Sequence, residues 1–144
     1  MVVDAAERGR PNLRAVSIYF STGNEHAPDD PFGRIALEID DDGNAKLEHF
    51  SRTGNGSWDG RMEPSELQAV VAAMKRGGFP ERPPHPMPRP GALIIELELD
   101  EGNGPVTLMM PFDEAMKVSG YAAALDRLQA FARELSGGAY QRGA

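Results

Sequence analysis

The chain has no cysteine among its 144 residues. That excludes disulfides, thiolate nucleophiles, cysteine-ligated zinc and iron–sulfur clusters. It also lacks any apolar run near the roughly 20 residues that span a bilayer. Residues 1–12 alternate small, acidic and basic side chains without an apolar core, so a signal peptide is not expected. Basic charge is scarce: 15 Lys and Arg face 22 Asp and Glu, a net −7. Phosphate backbones and anionic lipid surfaces are held mainly by Lys and Arg, so neither nucleic acid nor membrane is an expected partner. These absences point to a cytoplasmic protein. Histidine is also sparse, with only His26, His49 and His85. None stands at ligand spacing such as H-E-x-x-H, so no metal or other cofactor is expected.

Proline is abundant and concentrated. Half of the twelve prolines fall between Pro80 and Pro90. Proline fixes φ and removes a donor, so this run reads as a stiff polyproline strap with no ladder of its own. P-x-x-P occurs at Pro80/Pro83 and Pro83/Pro86, which would suit an aromatic-lined groove. The strap is no longer than a crossing from a helix end to a sheet edge requires, and a structural connector is the preferred reading.

Around the strap, apolar residues alternate with period two. Val16, Ile18 and Phe20 share one face of a first strand. Ile35, Leu37 and Ile39 share one face of a second, with Arg34, Ala36, Glu38 and Asp40 opposite. After the turn Asp41-Asp42-Gly43-Asn44, Leu47 and His49 continue a third. Leu93, Ile95, Leu97 and Leu99 make a fourth, and Val106, Leu108, Met110 and Phe112 a fifth, joined by Glu101-Gly102-Asn103-Gly104. One-sided alternation marks an antiparallel sheet with one covered and one wet face. Two helices supply the cover. Leu67, Val70, Val71 and Met74 stripe the first, from about Pro64 to Arg76, with Ser65-x-x-Gln68 resembling a capping box. Tyr121, Ala124, Leu125, Leu128, Ala132 and Leu135 stripe the second, from about Gly120, with Ser119 as its cap. The expectation is one α+β domain over residues 13–136, with flexible tails at 1–12 and 137–144. Its sheet has about five strands, in the order βββ–α–ββ–α.

Chemistry-bearing patterns are weak. Ser51 to Gly60 lies between a strand and a helix, yet fits neither G-x-G-x-x-G nor G-x-x-x-x-G-K-[ST], and reads as a loop pinned by Trp58. Asp40-Asp41-Asp42-Gly43-Asn44 lacks the calcium-loop frame and reads as an acidic hairpin turn, and Asp29-Asp30 offers no better frame. From Glu25 to Glu48 eight acids face only Arg34 and Lys46, while Lys75 to Pro90 is basic. Glu38, Glu48, Glu96 and Glu98 are expected on the wet face, as a solvated surface or as a docking surface for a cationic partner. Aromatic and arginine side chains carry most interface energy. The candidate partner-binding residues are therefore Trp58, Tyr19, Phe50, Arg82 and Arg89.

The stretch Leu67 to Phe112 combines a leucine- and valine-striped helix, Phe79-Pro80, a proline-rich crossing and a glycine-turned hairpin, with a leucine-spaced helix following. In this order the chain resembles the emfourin-type inhibitors of thermolysin-like metalloproteases, small cytoplasmic bacterial proteins. The resemblance implies inhibition by loops that enter a protease cleft. The start departs from the family, with Ile18-Tyr19-Phe20-Ser21-Thr22-Gly23 in place of a Gly-Gly-Phe-type segment and an extension from Asn24 to Gly33. The expected function is protein interaction without catalysis, with a metalloprotease or a second copy of the chain as partner. The alternatives are an adaptor or assembly component, and a small enzyme using a histidine with nearby carboxylates.

Overall fold

The computed structural model describes residues 16–23, 34–51, 54–84, 87 and 93–137. The tails at 1–12 and 138–144, His26, Asp29, Asp30, His85 and Arg89 lie outside the described residues.

Six strands form one antiparallel sheet: β1 (Ser17–Gly23), β2 (Arg34–Ile39), β3 (Asn44–Ser51), β4 (Gly54–Arg61), β5 (Ile94–Asp100) and β6 (Pro105–Pro111). Their order across the sheet is β4-β3-β2-β1-β5-β6. The alternation expected from sequence sets the register: Phe20 lies beside Leu37 and Leu97, and Leu37 beside Leu47. All four are fully buried on the same face. Removing each from water contributes about 1.5–3 kcal/mol.

Helices α1 (Pro64–Arg76) and α3 (Ser119–Leu135) cover that face, and a single turn, α2 (Phe112–Ala115), leads into α3. Leu67, Val70 and Met74 of α1 join Tyr121, Leu125 and Leu128 of α3 in one core with the sheet. The helices meet where Gly120 faces Gly77 and Ala73: a Cβ on Gly120 would sit 2.3 Å from Gly77 N. α1 closes with a hydrogen-bonded turn, Gly78 N–H donating to Lys75 O and Phe79 N–H to Met74 O. Gly78 takes φ +97° there, a conformation other residues rarely adopt. Lys75 Nζ reaches Glu101 at 2.6 Å and ties the end of α1 to the β5–β6 turn.

Both acidic turns are internally capped. The Asp40 carboxylate accepts from the backbone N–H of Asp42 and of Asn44. That of Asp100 accepts from Gly102 and Gly104. The three neighbouring carboxylates Asp40, Asp41 and Asp42 are exposed, and turn formation accounts for Asp40.

Four expectations are corrected. The segment read as a loop, Gly54 to Gly60, is strand β4, so the sheet has six strands and not about five. Its alternation is hidden because the covered-side residues are Gly56, Trp58 and Gly60. Trp58 folds over Gly56 and Leu135 covers Gly60, so a Cβ at either glycine would collide with a side chain already filling that space. Second, Phe112 opens α2 and does not extend β6, which makes three helices in place of two. Third, the cap of α1 is Glu63, with Pro64 next, so Ser65 stands too far inside the helix to form a capping box. Fourth, Ser119 is the first helical residue of α3; the N-cap is Val118.

Candidate functional site

The helices occupy one face of the sheet and leave the other open. Register places three rows of side chains across it. The first runs Asn55, Phe50, Arg34, Gly23, Ile94, Pro111; the second Ser57, Glu48, Ala36, Ser21, Glu96, Met109; the third Asp59, Lys46, Glu38, Tyr19, Glu98, Thr107. Two apolar members are exposed, Met109 at 51% and Phe50 at 37%, while Ala36 and Pro111 are buried between their neighbours.

Arg34 organises one end of this surface. Its Nη2 donates to Tyr19 Oη at 2.8 Å. Its guanidinium carbon lies 5.7 Å from the centroid of Phe50. Such a cation–π contact is worth about 0.5–1 kcal/mol at an exposed site. Gly23 lies beside Arg34 in the row. The result is a braced Tyr19–Arg34–Phe50 cluster whose side chains have already lost much of their freedom. Binding then costs less ordering entropy.

Carboxylates surround the cluster. Tyr19 stands between Glu38 on β2 and Glu98 on β5, roughly 10 Å apart at two strand spacings. Glu96 lies two residues from Glu98 on the same face. Glu98 Oε1 accepts from Thr107 Oγ1 at 3.3 Å, and Lys46 pairs loosely with Glu48 at 3.9 Å. Glu38 and Glu96 form no ion pair among the described residues, although Lys46 lies opposite Glu38 in the register. Acidic side chains along neighbouring strands repel one another, so a positively charged group placed among them is attracted by several at once.

The sequence-predicted contact residues separate. Tyr19 and Phe50 share the open face and meet through Arg34. Trp58 points to the covered side, half-buried against the core. Arg82 sits at the far edge, where its Nη1 donates to Met109 O at 3.3 Å. Arg34, Ile94 and Met109 were missed as site residues. The period-two pattern that put Arg34 opposite Ile35 and Leu37 was the signal that could have found it.

The strap begins pinned, not free. Tyr121 Oη donates to Glu81 O at 2.5 Å, and Arg82 fixes the next residue to β6. Burial, and then the Glu81 carboxylate, push the Tyr121 hydroxyl above its ordinary pKa.

Two concavities lie on the helical side. A cleft of about 590 Å³ opens between the end of β4, the start of α1 and the last turns of α3, and the Glu66–Arg127 ion pair at 2.7 Å spans it. A groove of about 420 Å³ runs along α1 past Leu67 and Val71 to Lys75. His49 lines neither; it lies in the covered-side register between Gly56 and Ile35. No helix among the described residues is long and apolar enough to cross a membrane. No protein-family model matches this chain, and no curated protein matches it.

Proposed function

We propose that this protein works by binding another protein on the open face of its sheet and carries out no chemistry of its own. The observation that carries this reading is the braced Tyr19–Arg34–Phe50 cluster, set among Glu38, Glu96 and Glu98 on a face the helices leave uncovered. Aromatic and arginine anchors supply binding energy; the carboxylates select a partner with positive charge. We place the protein in the cytoplasm, on the strength of a cysteine-free, acidic chain.

Inhibition of a thermolysin-like metalloprotease is the specific form we put forward. Its support is the succession of α1, Phe79-Pro80, the proline-rich crossing, the β5–β6 hairpin and α3, which follows the order of the emfourin-type inhibitors. An adaptor role would use the same face with a different partner.

Capture from a lysate, comparing the wild type with Phe50→Glu, tests the general reading. Phe50 is exposed, so the variant should fold as the wild type does. A protein retained by the wild type and lost from the variant supports the open face; equal retention contradicts it. Titration of a thermolysin-like metalloprotease then tests the specific form. Activity falling to an end point at one equivalent supports inhibition, and full activity at large excess refutes it.

A further inference from the structure

The two edges of the sheet differ in a way that assigns them different roles. In an antiparallel ladder, alternate residues turn both backbone groups toward the neighbouring strand or both away from it. Met62 N–H donates to Gly43 O at 2.7 Å, continuing the β3–β4 ladder. By alternation Gly56, Trp58 and Gly60 face β3. Asn55, Ser57, Asp59 and Arg61 present their N–H and C=O groups outward. On the opposite edge, Phe112 N–H donates to Leu93 O at 2.9 Å, so Pro105, Thr107, Met109 and Pro111 of β6 face outward. Two of these outward positions are prolines and have no N–H. The Met109 carbonyl already accepts from Arg82. The β6 edge is thus blunted against strand addition. The β4 edge has no outward proline, and among the described residues nothing hydrogen-bonds to its outward backbone groups.

We infer that β4 is a pairing edge whose occupant is β4 of a second copy of this chain, antiparallel, with the two-fold axis at Trp58. In this register Ser57 lies opposite Asp59 of the second copy and Asn55 opposite its Arg61, each pair exchanging two backbone hydrogen bonds. Both side-chain pairs are complementary: a hydroxyl meets a carboxylate, and an amide meets a guanidinium whose Nε already donates to Asp42 O at 3.2 Å, so the contact falls to its Nη groups. On the covered side Trp58 faces its own counterpart, each ring folded over its own Gly56, with Leu135 filling the space over Gly60. A shift of the axis to Asp59 would set two like charges directly opposite and is disfavoured. Within Gly54–Arg61, a shift to Ser57 gives Arg61 no strand residue to pair with. The edge is therefore self-complementary in one register, as an isologous contact requires. The pairing sets two open faces side by side in one continuous sheet. It does not depend on what those faces bind.

Sedimentation of the full chain over a wide concentration range tests this, with the fluorescence of Trp58, the single tryptophan, read in parallel. The expected result is a monomer–dimer equilibrium with the fluorescence changing at the same midpoint. Ser57→Pro removes an outward donor without touching the β3 ladder and should abolish the dimer. Thr107→Pro, on the blunted edge, should leave it intact. Two charge variants test the register at an exposed position. Asn55→Asp, facing Arg61 of the second copy twice per dimer, should lower the Kd about two- to thirty-fold, and Asn55→Lys should raise it by a similar factor. A wild type that stays monomeric at the highest concentration reached overturns the inference. So does a dimer that Thr107→Pro disrupts, or one that Ser57→Pro and both Asn55 variants leave unchanged.

Discussion

Replacing Gly120 with alanine sets two effects of opposite sign against each other. Gly120 lies in the first turn of α3. Helix propensity alone would make alanine the better residue by at most about 1 kcal/mol. Packing opposes this. The new Cβ would lie 2.3 Å from Gly77 N, 2.6 Å from Ala73 O and 2.8 Å from Gly77 Cα. All three are backbone atoms at the end of α1, so no side chain can rotate out of the way. Ordinary carbon contacts are about 3.5–4.0 Å, so the helices would have to separate by roughly 1 Å. That separation would loosen Tyr121, which packs on Gly77 and is fully buried. Overpacking of this kind costs about 1–3 kcal/mol, and the rigid neighbours place Gly120→Ala at the upper end. The net expectation is a loss of about 1–2 kcal/mol, or about 2–8 °C in Tm for a chain of this size. Urea unfolding followed by circular dichroism reads the change directly. Ala130→Gly, exposed in the same helix, calibrates propensity alone and should cost about 1 kcal/mol. A midpoint for Gly120→Ala equal to or above that of the wild type would refute the close-crossing argument.

Two further outcomes follow from buried polar groups. The Tyr121 hydroxyl has a raised pKa in the folded state, so the folded chain holds this proton more tightly than the unfolded one. Its contribution is fully present below about pH 10 and is lost as pH rises from there through the folded-state value. Spectrophotometric titration should show a late-ionising tyrosine, and Tyr121→Phe should remove that late step. Thr22 Oγ1 is buried without a hydrogen-bond partner among the described residues. Thr22→Val should therefore raise stability by about 1 kcal/mol in the same urea assay, and a loss would show that the hydroxyl is satisfied in solution.

Most of the sheet was legible because its buried residues are large and alternate with polar ones. Ile35, Leu37 and Ile39, or Ile95, Leu97 and Leu99, announce both strand and facing. β4 was not legible for the converse reason. Its covered side carries two glycines, and the volume there comes from Trp58 two residues away and from Leu135 in a distant helix. No local pattern contains that information. The helix starts differ from expectation at Ser65 and Ser119, serines suited to capping that the chain places inside the helix. In the candidate site, Tyr19 and Phe50 were identified as aromatic anchors, but Arg34, which joins them, was counted only as a charge on the wet face. Trp58 joins them in the sequence because a segment without alternation has no assigned side.

The central claim, that a partner occupies the open face, is tested most directly by carboxyl footprinting of the complex retained in the capture experiment. Carbodiimide coupling of glycine ethyl ester would be compared between the free protein and the complex. The account predicts that Glu38, Glu96 and Glu98 lose reactivity in the complex, while Asp126 and Glu134 on α3 label as they do in the free chain. Protection confined to the α3 carboxylates, with the open-face glutamates labelled as before, would contradict it.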